Sequence, residues 1–326
     1  MKELTQKLKS KSIVENLGLL AVMAVLPIIF NASGFSYGIT ILVFICIYIV
    51  AVSGLDILFG YSGQISMGHA AFYAIGAYGS AMLSRYLNVP VILSMMIASI
   101  IAALVGALLA YPASKLVFHF LSLATIAFGE IVYQLVLQSP NGITGNAVGF
   151  PTKSISIFGF QFSSNFNVYF ICMIFLLLFL IAKGNLVNSR VGRAFIAIRE
   201  NSHAAEGMGI NVRKYKIIAF ATSAYFVAFA GGMYAHTVGY ISPDTFTNKQ
   251  SVMFVTMLLF GGTASKWGPV MGVVAVLILN ELLRSMENMQ MLVYGALLLV
   301  VILALPGGIF GVVKDLVNKI SKKGAM

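Results

Sequence analysis

Long apolar runs, broken by short polar or glycine-bearing connections, occupy most of the chain. Runs of spanning length lie near residues 13–31, 38–59, 64–84, 90–111, 116–138, 166–183, 216–239, 249–262, 268–284 and 289–306. A helix needs about 20 predominantly apolar residues to cross a bilayer, so the pattern predicts an all-α, polytopic membrane protein of about ten transmembrane helices. The eighth run is short, which predicts a tilted or interrupted span.

Composition agrees. Hydrophobic residues make up 59% of the chain and charged residues 10%, with a mean hydropathy of +0.93, whereas a soluble domain carries about a quarter charged residues. The 326 residues leave no length for a sizeable soluble domain beside ten spans, so residues 1–326 read as a single transmembrane domain. The 21 Lys and Arg outnumber the 10 Asp and Glu, giving a net charge of +11. In a membrane protein such an excess reports topology rather than nucleic-acid binding. With ten spans and a cytoplasmic N-terminus, 17 of the cations fall inside and 4 outside, the latter being Arg85, Lys153, Lys249 and Arg284. This places both termini, the tail 1–12 and the loop 184–215 in the cytoplasm, and the loop 138–165 outside. The lysine-rich start is followed by an apolar run without a small-x-small cleavage site, and is expected to be the first span. Cys46 and Cys172 both sit in apolar runs and read as small buried hydrophobes.

Polar residues inside this pattern are few. The stretch YSGQISMGHAAFYAIGAY (61–78) carries Ser62, Gln64, Ser66 and His69, with Gly60, Gly63 and Gly68 around them. Irregular backbone at membrane depth persists only where protein or a water-filled cavity satisfies it. The segment therefore reads either as an unwound, polar lining for a solute path or as a short turn between two spans. His69 alone is more often a packing histidine than a ligand. Beyond it, Ala70, Ala74, Ala77 and Ala81 form a small-residue stripe suited to close helix packing, with Phe72, Ile75 and Leu83 opposite. Glu130 is the most deeply placed carboxylate. It shares a helical stripe with His119, Leu123 and Gln134, with Tyr133 on its edge, which predicts a polar seam turned inward. An intramembrane carboxylate is a functional candidate; the competing reading is a hydrogen bond to a neighbouring helix. Asp56, near a span end, reads as interfacial.

The loop 184–215 is basic and amphipathic. Val191, Phe195 and Ile198 share one side of a first helix, with Arg190, Arg193 and Arg199 elsewhere. A second short helix follows, with Asn201 or Ser202 as N-cap, Ala204, Ala205 and Met208 as apolar contacts and Gly209 as stop. Such a helix suits the groove of a partner protein, and the arginines equally suit anionic lipid headgroups. The loop 138–165, rich in Gly, Ser and Asn, is a docking surface or a plain connector. Leu-Phe-Gly recurs at Leu58 and Leu259, a weak echo that chance explains. The chain carries no Gly-x-x-x-x-Gly-Lys-Ser/Thr loop, no metal-ligand spacing among its 4 histidines and no hydrolase elbow. Enzyme chemistry thus has no visible home, and no cofactor or metal is expected on this chain.

Five stretches in consistent order, GLDILFGYSGQISMGHAAFYAIGAY (54–78), FGEI (128–131), SRVGRAFIAIRENSHAAEGMGINVRKYKIIAFATSAYFVAFAGGMYA (189–235), GGTASKWGPVMG (261–272) and LPGGIFG (305–311), resemble the LivM-type permease subunits of branched-chain amino acid ABC importers. The external NGITGNAVG is a reduced form of the fuller Thr-Gly-Gly motif often found there. The resemblance implies a bacterial-type cytoplasmic (inner) membrane location and four kinds of partner chain or surface: a second related permease, two cytoplasmic ATPases that bind ATP and magnesium, an extracytoplasmic binding protein, and lipid. It implies that residues 201–209 (Asn201, Ser202, His203, Ala204, Ala205, Glu206, Gly207, Met208 and Gly209) form an ATPase-coupling helix. Ser62, Gln64, Ser66, Gly68, His69 and Glu130 would lie near the translocation path. A permease for urea or an amide, and an ion-coupled carrier using Glu130, are the alternative readings.

Overall fold

The computed structural model describes residues 23, 25–32, 34, 36–113, 118–157, 160–162, 164–284, 292, 295, 296, 299 and 307–311. Eight of the predicted runs appear as helices: α1 (Ser36–Asp56), α2 (His69–Tyr86), α3 (Val91–Ala113), α4 (Phe118–Leu137), α5 (Asn165–Asn188), α8 (Val212–Val238), α9 (Asn248–Gly261) and α10 (Gly268–Leu282). Between α5 and α8 lie two shorter helices, α6 (Arg190–Glu200) and α7 (Ser202–Gly207). The first and last predicted runs lie mainly outside the described residues.

Among the described residues, five helical segments are long and apolar enough to cross a membrane: Ser36–Tyr61, Val91–Pro112, Phe120–Leu137, Asn165–Asn188 and Val212–Val238. The protein is therefore a helical, multi-pass integral membrane protein. Helices α9 and α10, with 14 and 15 residues, reach only about 20 Å at 1.5 Å per residue, and the loop between them turns back on α1. Within the apolar run near 64–84, α2 begins only at His69: α1 passes into a π-helical turn (Ile57–Tyr61) and residues 62–68 are not helical.

Helix α8 occupies the centre, against α1, α2 and α3. Its crossing with α2 is close because small residues meet there: a Cβ on Gly76 would fall 1.8 Å from the Ala228 carbonyl oxygen, and one on Gly231 2.0 Å from that of Tyr73. In lipid, where apolar burial drives helices together only weakly, such close contact supplies the packing energy. The alanine stripe of α2 is buried throughout. Phe72, expected on the opposite face, is equally buried, with its ring 5.3 Å from Phe128 and 5.8 Å from Phe220; α2 is enclosed on all sides, so its two faces do not divide into protein and lipid. By contrast α3 and α5 expose Leu104, Leu108, Ile174, Leu178 and Ile181 outward, as lipid-facing helices do.

The four cations expected outside gather at one end of the bundle. There the 138–165 loop is tied down rather than free. Strand β1 (Phe150–Pro151) pairs antiparallel with β4 (Tyr240–Ile241), and β2 (Ser156–Ile157) with β3 (Phe160–Gln161). Arg85 donates to the Pro151 carbonyl at 3.0 Å, Lys153 to Asn88 at 2.8 Å and Thr152 to the Ala235 carbonyl at 2.6 Å. Arg284 reaches the Tyr37 hydroxyl at 2.6 Å.

Candidate functional site

At the opposite end, residues 57–68 form a largely buried irregular strip whose backbone is bonded by side chains of α4 and α6, and the first turn of α2 that follows it is bonded to α9. The Met67 amide donates to Thr125 Oγ1 of α4 at 3.1 Å, the Ala70 amide to Ser251 Oγ of α9 at 2.8 Å, and Arg199 Nη1 of α6 to the Gly60 carbonyl at 2.8 Å. Ser122 of α4 reaches the Ile65 carbonyl at 3.4 Å. This is the condition under which non-helical backbone survives in a membrane protein. Gly63 holds φ +69, and a Cβ on Gly68 would strike the Thr125 carbonyl oxygen at 2.1 Å, so α4 can seat against the strip only where a side chain is missing.

Ser62, Gln64, Ser66, Gly68 and His69 are thereby brought together. Gln64 Nε2 donates to Ser62 Oγ at 2.7 Å and to the Lys216 carbonyl of α8 at 3.3 Å. His69 Nε2 lies 2.7 Å from Ser223 Oγ, between the rings of Phe72 and Phe220. All are buried, and Ser66 Oγ and His69 Nδ1 have no hydrogen-bond partner among the described residues. Unpaired polar atoms at such depth cost free energy, so this strip holds unused hydrogen-bonding capacity.

Asp56, expected at the interface, is fully buried. Its Oδ2 accepts from Lys183 Nζ of α5 at 2.7 Å and its Oδ1 from the Ala264 amide at 2.7 Å. Lys183, counted among the cations of the cytoplasmic side, is buried as well. It also donates to the Ser265 carbonyl at 3.2 Å and sits 5.8 Å over the Tyr61 ring. The correction has a physical reason: α5 runs to Asn188, beyond the apolar run, and carries Lys183 inside, where Asp56 compensates its charge. The two Leu-Phe-Gly segments meet here, since a Cβ on Gly60 would come within 2.5 Å of the Ala264 nitrogen.

Glu130 is not part of this strip. The expected inward seam of α4 points out of the chain: Leu123, Glu130, Ile131, Gln134, Leu135 and Gln138 are exposed, while Leu121, Thr125, Val132 and Val136 are buried. The periodicity marks the stripe correctly but not its direction. Gln134 Nε2 donates to Glu130 Oε1 at 3.0 Å. An open cavity of about 350 Å³ runs along Glu130, Ile131, Gln134, Leu135 and Gln138.

Helix α6 is capped by Ser189, whose hydroxyl accepts from the amides of Val191 and Gly192, and it buries Phe195 and Ile198 against the bundle. Asn201 caps α7, its Oδ1 accepting from His203 and Ala204 at 3.0 Å each. Gly209 follows at φ +83. Of the apolar positions expected to pack, only Ala205 is buried; Ala204 is exposed and Met208 is 84% exposed. One turn of helix can seat only one side chain on the bundle, and the rest of its surface is free. No group of His, Cys, Asp and Glu able to hold a metal occurs among the described residues.

Residue patterns missed Thr125, Ser122, Ser223 and Ser251, which look like ordinary hydroxyls in apolar helices, and Arg199, which was grouped with surface arginines. The opposite charges of Asp56 and Lys183 at two span ends were the signal available for their pairing.

The family model for the permease component of the branched-chain amino acid transport system matches residues 37–302. The high-affinity branched-chain amino acid transport system permease protein LivM of Escherichia coli K12 is 31% identical over 287 residues, covering 81% of this chain and 67% of that protein. Its counterpart in Salmonella typhimurium LT2 is 30% identical over 292 residues, with the same shares of each chain. A probable LivM permease of Methanocaldococcus jannaschii is 29% identical over 249 residues, 72% of this chain and 69% of that one. No solved structure matches. The buried strip, the outward polar stripe and the capped α6–α7 connection thus lie in a chain that belongs to the family of branched-chain amino acid transport permease components.

Proposed function

We propose that this chain is one permease of an ATP-driven importer that carries branched-chain amino acids across the cytoplasmic membrane. The observation that carries the reading is the outward stripe Glu130–Gln134–Gln138. A carboxylate facing lipid at mid-helix costs roughly 2.5–3.5 kcal/mol, so this face needs protein or water beyond it. A second, related permease placed there supplies the missing wall, and the open cavity along α4 becomes one side of a path. Ile131 and Leu135 offer an aliphatic side chain its surface, while Glu130 and the two glutamines offer a zwitterion polar contacts.

In this arrangement Ser62, Gln64, Ser66, Gly68 and His69 form the wall behind α4. Residues 201–209 dock on one of two cytoplasmic ATPases, which accords with the missing phosphate-binding loop in this chain. An extracytoplasmic binding protein delivers solute to the 138–165 surface. The whole chain forms one transmembrane domain with both termini inside, and ATP and magnesium reside on the partners.

The test is purification of the tagged protein in mild detergent from its host, followed by reconstitution in liposomes. Recovery with two ATPases and a second permease, and uptake of leucine that needs ATP and is not competed by urea, is the expected result. Competition by urea moves the substrate class to amides. A chain that purifies alone and transports on an ion gradient makes Glu130 the ion site of a secondary carrier and overturns the proposal.

A further inference from the structure

The connector α6–α7 touches the rest of the molecule at a place that sequence patterns leave without a role. Arg199 lies in the last turn of α6, two residues before the Asn201 cap of α7, and so sits at the junction of the two helices. Its side chain is 35% exposed and divided between two partners. Nη2 meets Glu200 at 2.6 Å on the solvent side, and Nη1 reaches inward to the Gly60 carbonyl at 2.8 Å. Gly60 belongs to the π-helical turn, where the widened ladder leaves carbonyls available, a feature frequent at functional sites. The side chain of Arg199 also lies over Gly63, whose Cβ would come 2.8 Å from Arg199 Cγ. Helix α6 therefore presses on two glycines of the irregular strip at once.

One flank of that contact is fixed and the other leads on. Asp56, one turn before Gly60, is anchored by Lys183 and the Ala264 amide. Past Gly63 the strip is bonded to α4 through Ile65–Ser122 and Met67–Thr125. Thr125 sits on the inner side of α4, and Glu130 lies on its outer side five residues on. A continuous series of contacts thus runs from α7 through Arg199 to the helix that carries the outward stripe.

We propose that Arg199, acting on Gly60 and Gly63 against the fixed Asp56–Lys183 pair, is the positioning residue that turns movement of α7 into displacement of residues 62–68 and of α4. The proposal rests on the reading of α7 as the ATPase contact. An arginine suits the task because its planar fork holds a backbone carbonyl and a carboxylate together. Gly63 suits it because its backbone lies in the left-handed region and can re-seat without a side chain in the way.

The test uses the reconstituted complex and reads solute moved per ATP hydrolysed. Arg199→Ala is expected to lower that ratio about tenfold, within the range of ordinary coupling between sites, while ATP hydrolysis continues. Arg199→Lys, which keeps one donor for the Gly60 carbonyl, is expected to restore part of it. A merely structural arginine would lower uptake and hydrolysis together, leaving the ratio unchanged, and that result overturns the proposal. If Arg199→Ala complexes do not assemble, Gly63→Ala decides: it keeps the guanidinium but displaces it, so the ratio must still fall, and an unchanged ratio overturns the joint. A wild-type complex without ATP-driven uptake fails at the earlier step, and the transport reading falls together with this one.

Discussion

Asp56 and Lys183 are the residues whose behaviour follows most directly from elementary electrostatics. Each alone would be an uncompensated charge in an apolar interior; together, at 2.7 Å and with further bonds to Ala264 and Ser265, they are satisfied. Lys183→Met is expected to destabilise the protein by about 3–5 kcal/mol, because it strands the carboxylate, whereas the double change Asp56→Asn with Lys183→Met recovers most of that loss. Thermal unfolding of the detergent-solubilised protein measures both. Gly68→Val places atoms where the Thr125 carbonyl stands, and Gln64→Leu strands Ser62 and the Lys216 carbonyl. Both are expected to reduce uptake more than complex assembly, and unchanged uptake would return residues 60–69 to a plain turn. Glu130→Gln keeps an acceptor for Gln134 and is expected to retain much of the uptake; complete loss in an intact complex would assign the charge itself a role.

Among the elements, α7 is the most dependent on a single side chain. Six residues make one and a half turns, too few to stand alone, so the Asn201 cap carries much of its stability. Asn201→Ala is expected to cost about 1 kcal/mol and to loosen α7 while α6, capped separately by Ser189, persists; hydrogen exchange of residues 202–208 resolves the two. Replacing Ala205 and Glu206, one buried under α7 and one on its free face, is expected to abolish co-purification of the ATPases without unfolding the bundle. The N-cap and the Gly209 stop were readable in the sequence, since capping is local chemistry. Which of Ala204, Ala205 and Met208 would pack was not, because that depends on where α6 lays the connector down.

At the scale of the molecule, the division of cations between two ends translates into a labelling test. Val148 and Met208 are exposed at opposite ends, while the native Cys46 and Cys172 are fully buried. A membrane-impermeant thiol reagent should therefore label Val148→Cys in intact cells and Met208→Cys only after permeabilisation. The reverse result would invert the orientation.

The sequence by itself determined the class, the places of the eight described helices that match apolar runs, the charge asymmetry and the glycine-rich break after α1. Each of these is written in local composition or in the apolar run length that a bilayer demands. The direction of the Glu130 stripe, the burial of Asp56 and Lys183, and the contact of Arg199 with Gly60 and Gly63 were decided only in three dimensions. Helical periodicity states that a polar stripe needs protein or water, but in lipid it does not state whose. Ion pairs and carbonyl contacts between residues 127 and 139 positions apart leave no spacing to read, because they exist only once the helices have packed.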